Sequence, residues 1–315
     1  MQYIPKGTFL AETIEEKRQR LLGLAKEAVS KAYSTGEHSI AQAFNAYSEI
    51  DKSRNLVHER VEEWYGIYFP ELSSANQERF AQFVVRLGAN KKNAGQEQLR
   101  DIFGEGAEQV GQAIQRSIGS EPGAEEFKAL SALASMELEL GRIANEIDAY
   151  MKENVPKLMP NVAFITDYRI AAELLSKAGS LSKLANMPAS TIQLLGAEKA
   201  LFRHLRTGAR PPKYGAIFKL KEVTNAERWN KGRVARLFAA KIGIAARADA
   251  ISKRFIGKEL RQELDRQLAR ISRKQRPQDV RSRRTQPMGG FRPNKGYDRQ
   301  AQWRERGPGR FARKG

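Results

Sequence analysis

Apolar residues recur at helical spacing along two long stretches of the chain. The first stretch, broken only at Arg54, comprises Ile40, Ala43, Tyr47, Ile50, Val57, Val61, Trp64 and Tyr68. The second comprises Phe127, Leu130, Leu133, Met136, Leu140, Ile143, Ile147 and Tyr150. These stripes predict two long amphipathic helices, here called the arms. Because each arm has an apolar side to bury, we expect them to pack as an antiparallel coiled-coil hairpin.

Glycine and proline divide the rest of the chain into shorter helices. Residues 71–123 are predicted to form short helices at the tip of the hairpin, and Pro156 and Pro160 to end the second arm. Beyond them, helices are predicted over 162–175, 180–185, 190–206 with a break at Gly196, 231–255 and 258–274, with an extended piece at 216–220. One amphipathic helix is predicted over 14–33. The fold class is therefore all-α.

Charge and composition suggest four regions. Residues 1–160 carry 19 Lys/Arg and 24 Asp/Glu, whereas residues 161–275 carry 24 and 9. The last forty residues carry 12 and 3 and are rich in Arg and Gly. We divide the chain into a short N-terminal helix (1–39), a coiled-coil hairpin with a helical tip (40–158), a basic head (159–275) and a disordered tail (276–315). The asymmetry predicts a head that faces nucleic acid and arms that face protein.

The tail contains aromatic residues among its arginines: Phe291, Tyr297, Trp303 and Phe311. Such a segment is suited either to stacking on unpaired bases or to solubilising the protein without defined contacts. The chain has no cysteine, and its sequence contains neither a secretory signal nor an apolar run of membrane-spanning length. These features predict a soluble, cytoplasmic protein without membrane contact.

The segment Gly196–Leu205 is the most informative of the chain. Lys199, Arg203 and Arg206 lie at i, i+4 and i+7 and fall on one face of a helix whose N-terminus favours anions. Leu201, Phe202 and Leu205 are predicted to anchor that helix in a core. From spacing alone, a solvated basic face on an ordinary helix is the simpler interpretation.

Several ordered blocks, however, resemble the Nop domain. They are Ala178–Leu181, Met187–Leu195 leading into Gly196–Leu205, Pro211–Phe218 and Ala245–Ala250, and Glu63–Leu72 resembles the coiled-coil region of the same family. The chain is thus similar, over roughly residues 40–275, to the archaeal Nop-domain core proteins of box C/D guide-RNA ribonucleoproteins. Eukaryotic nucleolar proteins and a spliceosomal protein share this domain.

The resemblance implies that the head binds a kink-turn RNA already held by a small kink-turn-binding protein. On the matching positions, it implies phosphate contacts by Lys199 and Arg203, with Arg206 on the same face, and a close-approach turn at Gly196, Ala197 and Glu198. Further RNA-binding candidates are Lys183, Gln193, Lys213 and Tyr214. Pro188, Ala189 and Ser190 are candidates for contact with the protein partner. The arms are expected to mediate self-association, although an intramolecular hairpin in a monomer fits the pattern equally.

The resemblance further implies a scaffold that positions fibrillarin for guide-directed 2′-O-methylation of RNA. Archaeal relatives usually dock fibrillarin on an N-terminal α/β domain, whereas only about forty residues precede the first arm here. The helix over 14–33 is expected to be a remnant of that docking region. The alternative function is a kink-turn RNA-binding scaffold that recruits no methyltransferase, as for the spliceosomal relative.

No catalytic residue, metal or cofactor is predicted. His38, His58 and His204 lie on separate segments without ligand spacing, and Glu198 has no second carboxylate beside it. We interpret Glu198 as orienting a basic side chain or capping the helix. A free-standing RNA-modifying enzyme is therefore disfavoured.

Overall fold

Helices form the secondary structure of the described part of the chain. The computed structural model describes residues 13–34, 36–72 and 76–273, all within one compact unit, Met1–Arg273. No β-strand occurs in these residues, which confirms the all-α class for them. The predicted tail lies outside the described residues. The helices are α1 (Ile14–Ser34), α2 (Glu37–Tyr65), α3 (Gln77–Leu87), α4 (Gln96–Phe103), α5 (Ala107–Arg116), α6 (Ala124–Leu158), α7 (Pro160–Ile165), α8 (Tyr168–Ala178), α9 (Leu181–Asn186), α10 (Ala189–Leu194), α11 (Glu198–Thr207), α12 (Lys221–Asn225), α13 (Lys231–Arg247) and α14 (Gly257–Ser272).

The two arms, α2 and α6, pack against each other in opposite directions. The start of α2 shares a hydrophobic cluster with the end of α6, through Ile40, Phe44, Met151 and Val155. The end of α2 shares a second cluster with the start of α6, through Val61, Tyr65, Leu130 and Ala134. Both helices predicted from the apolar stripes are therefore present, and they are paired.

The buried line between the arms matches the predicted seam at Ile40, Val61, Tyr68 and Leu130 but is displaced by one residue elsewhere. Trp64 and Met136 are exposed, whereas Tyr65 and Glu137 are fully buried. The reason is a polar contact in the middle of the pair. The Nδ1 of His58 lies 3.1 Å from Oε1 of Glu137, and burial raises the pKa of the Glu137 carboxyl. One helical turn further along α6, Gly141 leaves room for the guanidinium of Arg54, as a Cβ would lie 3.0 Å from its carbon.

The tip of the hairpin has an aromatic core closed by a buried lysine. The core contains Tyr65, Phe69, Phe80, Phe83 and Phe103. The ammonium of Lys91 donates to the carbonyl of Tyr68 at the end of the first arm, and to that of Gly119 at 2.9 Å, before the second arm begins. Lys91 therefore ties together the two chain segments that enter and leave the tip.

The head is built around α13, which packs against α7, α9, α10, α12 and α14. Its core joins the base of the arms in one continuous cluster, because Met151 and Val155 of α6 belong to it. Three expectations were wrong in detail. The helix over 162–175 is divided into α7 and α8, residues Ala216–Lys219 form a 3-10 turn rather than an extended piece, and Pro156 lies inside the last turns of α6.

A buried aspartate fixes the start of the head. Both carboxylate oxygens of Asp249 accept hydrogen bonds from α7: Oδ1 from the backbone N–H of Asn161 at 3.1 Å and from its amide at 2.7 Å, and Oδ2 from the N–H of Val162 at 3.0 Å. These donors belong to the first turn of a helix, where N–H groups have no partner within the helix. Asp249 therefore caps α7 from a distant part of the sequence.

Helix α1 corresponds to the helix predicted over 14–33, and its described side chains are exposed. Ile14, Leu21, Leu22, Leu24 and Val29 are each more than half exposed. Among the described residues, no helix is long and apolar enough to cross a membrane.

Candidate nucleic-acid interface

Helix α11 is preceded by a turn in which a glycine has a positive φ angle. Gly196 has φ +91°, and a Cβ there would lie 3.3 Å from the backbone nitrogen of Ala216. The N–H of Gly196 donates to Oε1 of Glu198 at 2.7 Å, and the N–H of Ala197 donates to the carbonyl of Leu194 at 2.9 Å. Glu198 therefore stabilises the turn before the helix, which is neither of the two roles predicted for it, orienting a basic side chain or capping the helix.

A second loop lies directly against this turn. The N–H groups of Gly215 and Ala216 donate to the carbonyls of Gln193 and Leu195 at 2.9 and 2.8 Å. The amide of Gln193 also donates to the carbonyl of Lys213 at 2.7 Å. The structure thus brings Gln193 and Gly196 together with Lys213 and Tyr214, which lie about twenty residues further along the chain.

The cations of these two segments are available to a ligand. Lys199, Arg203, Arg206 and Lys213 are all exposed. None of the four forms an ion pair with a residue in the part of the chain that the structure describes. Because Lys and Arg that are not neutralised by carboxylates attract phosphate, this surface is suited to the backbone of a nucleic acid.

The apolar residues of α11 are not buried as predicted. Phe202 and Leu205 are 61% and 69% exposed, and α11 has no fully buried residue. Its inner side is instead formed by Ala200, Leu201 and His204, which are half-buried. On a helical wheel, Phe202 borders the face of Lys199 and Arg203. The basic face therefore has an apolar edge, which sequence reasoning assigned to the core.

The remaining candidates lie on neighbouring helices. Lys183 is exposed on α9, whose first turn is capped by the hydroxyl of Ser180; the contacts described for Lys183 are local to that helix. Pro188 and Ser190 are exposed and Ala189 is half-buried at the start of α10, which Ile192 anchors in the core.

An aromatic pair extends the second loop and was only partly predicted. The ring of Tyr214 stacks on that of Phe218, with centroids 4.7 Å apart and planes at 9°. The ammonium of Lys231 lies 5.3 Å from the Phe218 centroid. Sequence reasoning identified Tyr214 but missed Phe218 and Lys231, because a 3-10 turn and a helix bring them together only in the folded chain.

A metal centre has no counterpart among the described residues, since no group of three or more His, Asp or Glu side chains there is arranged to hold a metal ion. The geometry of the described surface is that of a positively charged binding face.

The chain is similar to known proteins over most of its length. Residues 46–270 match the Nop family, described as "snoRNA binding domain, fibrillarin". An uncharacterised NOP5 family protein of Methanocaldococcus jannaschii is 36% identical over 254 residues, which are 80% of this chain and 61% of that protein. Nucleolar protein 58 of Dictyostelium discoideum is 39% identical over 67% of this chain and 34% of its own length. The chain thus spans less than two thirds of these relatives.

A solved structure of a fibrillarin/Nop5p complex contains a chain with 20% identity and a TM-score of 0.44, over 86% of each chain.

Proposed function

Because the chain belongs to the Nop family, we propose that it is a non-catalytic scaffold subunit of a box C/D-type small ribonucleoprotein. The observation that carries the proposal is the exposed basic face of α11. Lys199 and Arg203 lie there beside a glycine turn, without an ion-pair partner among the described residues. Family membership over residues 46–270 supports RNA as the ligand of this face.

The proposed RNA is a kink-turn guide RNA held jointly with a small kink-turn-binding protein. In A-form RNA the major groove is too deep and narrow for side chains, so recognition depends on backbone, shape and 2′-hydroxyls. Lys199, Arg203 and Arg206 would contact phosphates, with Lys183, Gln193, Lys213 and Tyr214 as further contacts. The exposed start of α10, with Pro188, Ala189 and Ser190, would face the protein partner.

The arms are proposed to mediate self-association. Exposed apolar side chains on both helices, such as Leu56 on α2 and Met136 on α6, support this proposal. Burying them against a second copy would remove apolar surface from water. The acidic balance of residues 1–160 also fits protein rather than RNA contact.

Fibrillarin recruitment, for guide-directed 2′-O-methylation, is proposed to involve α1. Its exposed Leu21, Leu24 and Val29 fit a helix-in-groove mode of binding. If α1 does not bind the methyltransferase, the function becomes that of a kink-turn RNA scaffold without methylation.

The test is a gel-shift titration of a kink-turn RNA, to which the small kink-turn-binding protein, this chain and fibrillarin are added in turn. We expect a stepwise supershift at each addition. If this chain shifts the RNA but fibrillarin gives no further shift, the chain is an RNA-binding scaffold that does not recruit the methyltransferase. Failure of the chain to join the RNA–protein complex would contradict the proposal.

Two double variants that each remove two positive charges, and so have the same net charge, test the position of the site. Lys199→Ala with Arg203→Ala removes two cations from α11, and Lys52→Ala with Lys128→Ala removes two exposed cations from the arms. Two lost charge-assisted contacts, at about 1.5 kcal/mol each, correspond to roughly 100-fold weaker binding for the first pair. The second pair should bind almost as the unmodified protein does.

A further inference from the structure

A second aromatic surface lies on the head, outside α11 and its neighbouring loop. Phe164 on α7 and Phe255 just before α14 contact each other edge to face, with centroids 5.5 Å apart and planes at 88°. Their side chains are 48% and 49% exposed. Gly257 lies against both rings, since a Cβ there would be 3.0 Å from Phe255 and 3.1 Å from Phe164. The two rings therefore pack without an intervening side chain and remain half open to solvent.

The backbone that carries Phe255 is held in place on both sides. The amide of Asn161 donates to the carbonyl of Arg254 at 2.8 Å, and the N–H of Ile256 donates to the amide oxygen of Asn161 at 2.7 Å. Asn161 is in turn fixed by the buried Asp249. An aromatic ring presented on a fixed backbone loses little conformational entropy when a ligand binds.

The surroundings of Phe255 are cationic. Lys253, Arg254 and Lys258 are exposed, and the carboxylate nearest to Phe255 in sequence is the exposed Glu259, so residues 253–259 carry three cations and one anion. None of these three cations has an ion-pair partner within residues 13–34, 36–72 and 76–273. Asp249, which lies close enough to Lys253 to interact with it electrostatically, is buried and already accepts three hydrogen bonds.

We infer that Phe164, Phe255, Lys253, Arg254 and Lys258 form a second RNA contact surface, which takes an unpaired nucleotide. A base would stack on the exposed aromatic surface, and the cations would contact the flanking phosphates, the combination by which proteins bind single strands. Protein partners fit less well, because two of the three cations, Lys253 and Lys258, are lysines, which are depleted at the cores of protein–protein interfaces. The inference rests on the proposed RNA-binding function and extends it from a folded RNA to an unpaired segment.

The test measures binding of the full chain to a fluorescein-labelled 12-nucleotide single-stranded RNA of mixed sequence, and to a duplex of the same sequence. Phe255→Ala should weaken single-strand binding about 5- to 100-fold, the effect of losing one stacked base, and leave duplex binding nearly unchanged. Phe255→Trp should preserve binding. Phe255→Leu keeps apolar bulk without a π-face and should bind as weakly as Phe255→Ala. Trp64→Ala removes an exposed aromatic side chain from the arms and serves as the control.

The tryptophan variant also provides a spectroscopic signature. A base stacked on the new indole should quench its fluorescence upon RNA addition, beyond the change seen for the unmodified chain with its three tryptophans. Phe255→Leu controls for folding, since it should unfold at the same temperature as the unmodified protein. Lys253→Ala with Arg254→Ala should lower the dependence of single-strand affinity on salt by about 0.7 for each lost phosphate contact.

Three results would overturn the inference. The first is equal single-strand affinity of Phe255→Leu and the unmodified chain, and the second is absence of additional quenching in Phe255→Trp. The third is loss of the small kink-turn-binding protein or fibrillarin from the Phe255→Ala complex without any change in RNA affinity. Kink-turn binding by the same preparations separates this failure from that of the proposed function. If the α11 pair Lys199→Ala with Arg203→Ala loses the kink-turn RNA while Phe255→Ala behaves as the unmodified chain in every RNA assay, only the second surface is refuted.

Discussion

Replacement of Asp249 tests whether the head depends on its distant helix cap. In Asp249→Ala, the backbone N–H groups of Asn161 and Val162 lose their acceptors in a buried place. The side-chain amide of Asn161 keeps one partner, the carbonyl of Arg254. Each orphaned buried donor costs about 1–3 kcal/mol, so two should lower the free energy of unfolding by about 2–6 kcal/mol.

Asp249→Asn separates hydrogen bonding from packing. Its amide oxygen can still accept from Asn161, but its NH2 group leaves the N–H of Val162 without an acceptor and is itself a buried donor without a partner, so the cost should be similar to that of Asp249→Ala although the shape of the side chain is kept. Asp101→Ala, at a position on α4 where the carboxylate pairs with the exposed Arg86, serves as the control and should change the free energy of unfolding by less than about 1 kcal/mol.

The assay is urea denaturation of the full chain, followed by far-UV circular dichroism and tryptophan fluorescence. With an m-value of about 3 kcal/mol per M, the alanine variant should shift the midpoint by roughly 1–2 M. A shift for Asp249→Ala no larger than that for Asp101→Ala would refute the capping argument. An asparagine variant with the same midpoint as the unmodified protein would show that packing of the side chain, and not its two acceptor oxygens, stabilises this part of the head.

Three further substitutions test other contacts. Hydrogen bonds from Arg169 hold the pKa of Asp148 below its usual value. The contribution of Asp148 to the free energy of unfolding is therefore complete above about pH 4 and is lost as the pH falls through the lower pKa of the folded state. Asp148→Asn should cost about 1 kcal/mol at pH 7 and progressively less in urea titrations as the pH falls below about 4, and a pH-independent cost would contradict this. Gly215→Ala places a Cβ 2.1 Å from the carbonyl oxygen of Leu195, so it should destabilise the head by about 1–3 kcal/mol in thermal unfolding and weaken kink-turn binding; unchanged values would argue against the paired loops. Lys91→Met leaves buried carbonyls without donors and should accelerate hydrogen exchange in α3–α5, whereas unchanged protection would show that Lys91 does not tie the tip.

Helix positions followed from the sequence because apolar periodicity and the Gly and Pro breaks determine them locally. The two arms and α11 lie close to their predicted ranges, whereas α13 ends at Arg247 rather than at residue 255 and is followed by a π-helical turn over Ala248–Ser252. Which side of each helix is buried depends on its neighbours, and this is where errors arose. Glu137 is buried because His58 and Arg54 on the other arm face it, a pairing that no stripe of apolar residues indicates.

The candidate site was predicted as a set of residues but not as a surface. Backbone hydrogen bonds between Gln193–Leu195 and Gly215–Ala216 create the surface, and such long-range pairing has no local signature. Phe202 was assigned to the core because apolar residues are usually buried, yet the half-buried side of α11 is formed by Ala200, Leu201 and His204. The role of Asp249 likewise depends on residues nearly ninety positions away.

The most direct test of the central claim is the salt dependence of kink-turn binding. The affinity of this chain for the complex of kink-turn RNA and its small binding protein should be measured between 50 and about 300 mM KCl, with and without the substitutions Lys199→Ala and Arg203→Ala. The plot of log K against log salt has a negative slope, and we expect the double variant to reduce the magnitude of this slope by about 2, one for each lost phosphate contact. An unchanged slope, with unchanged affinity at physiological salt, would show that α11 does not bind the RNA backbone.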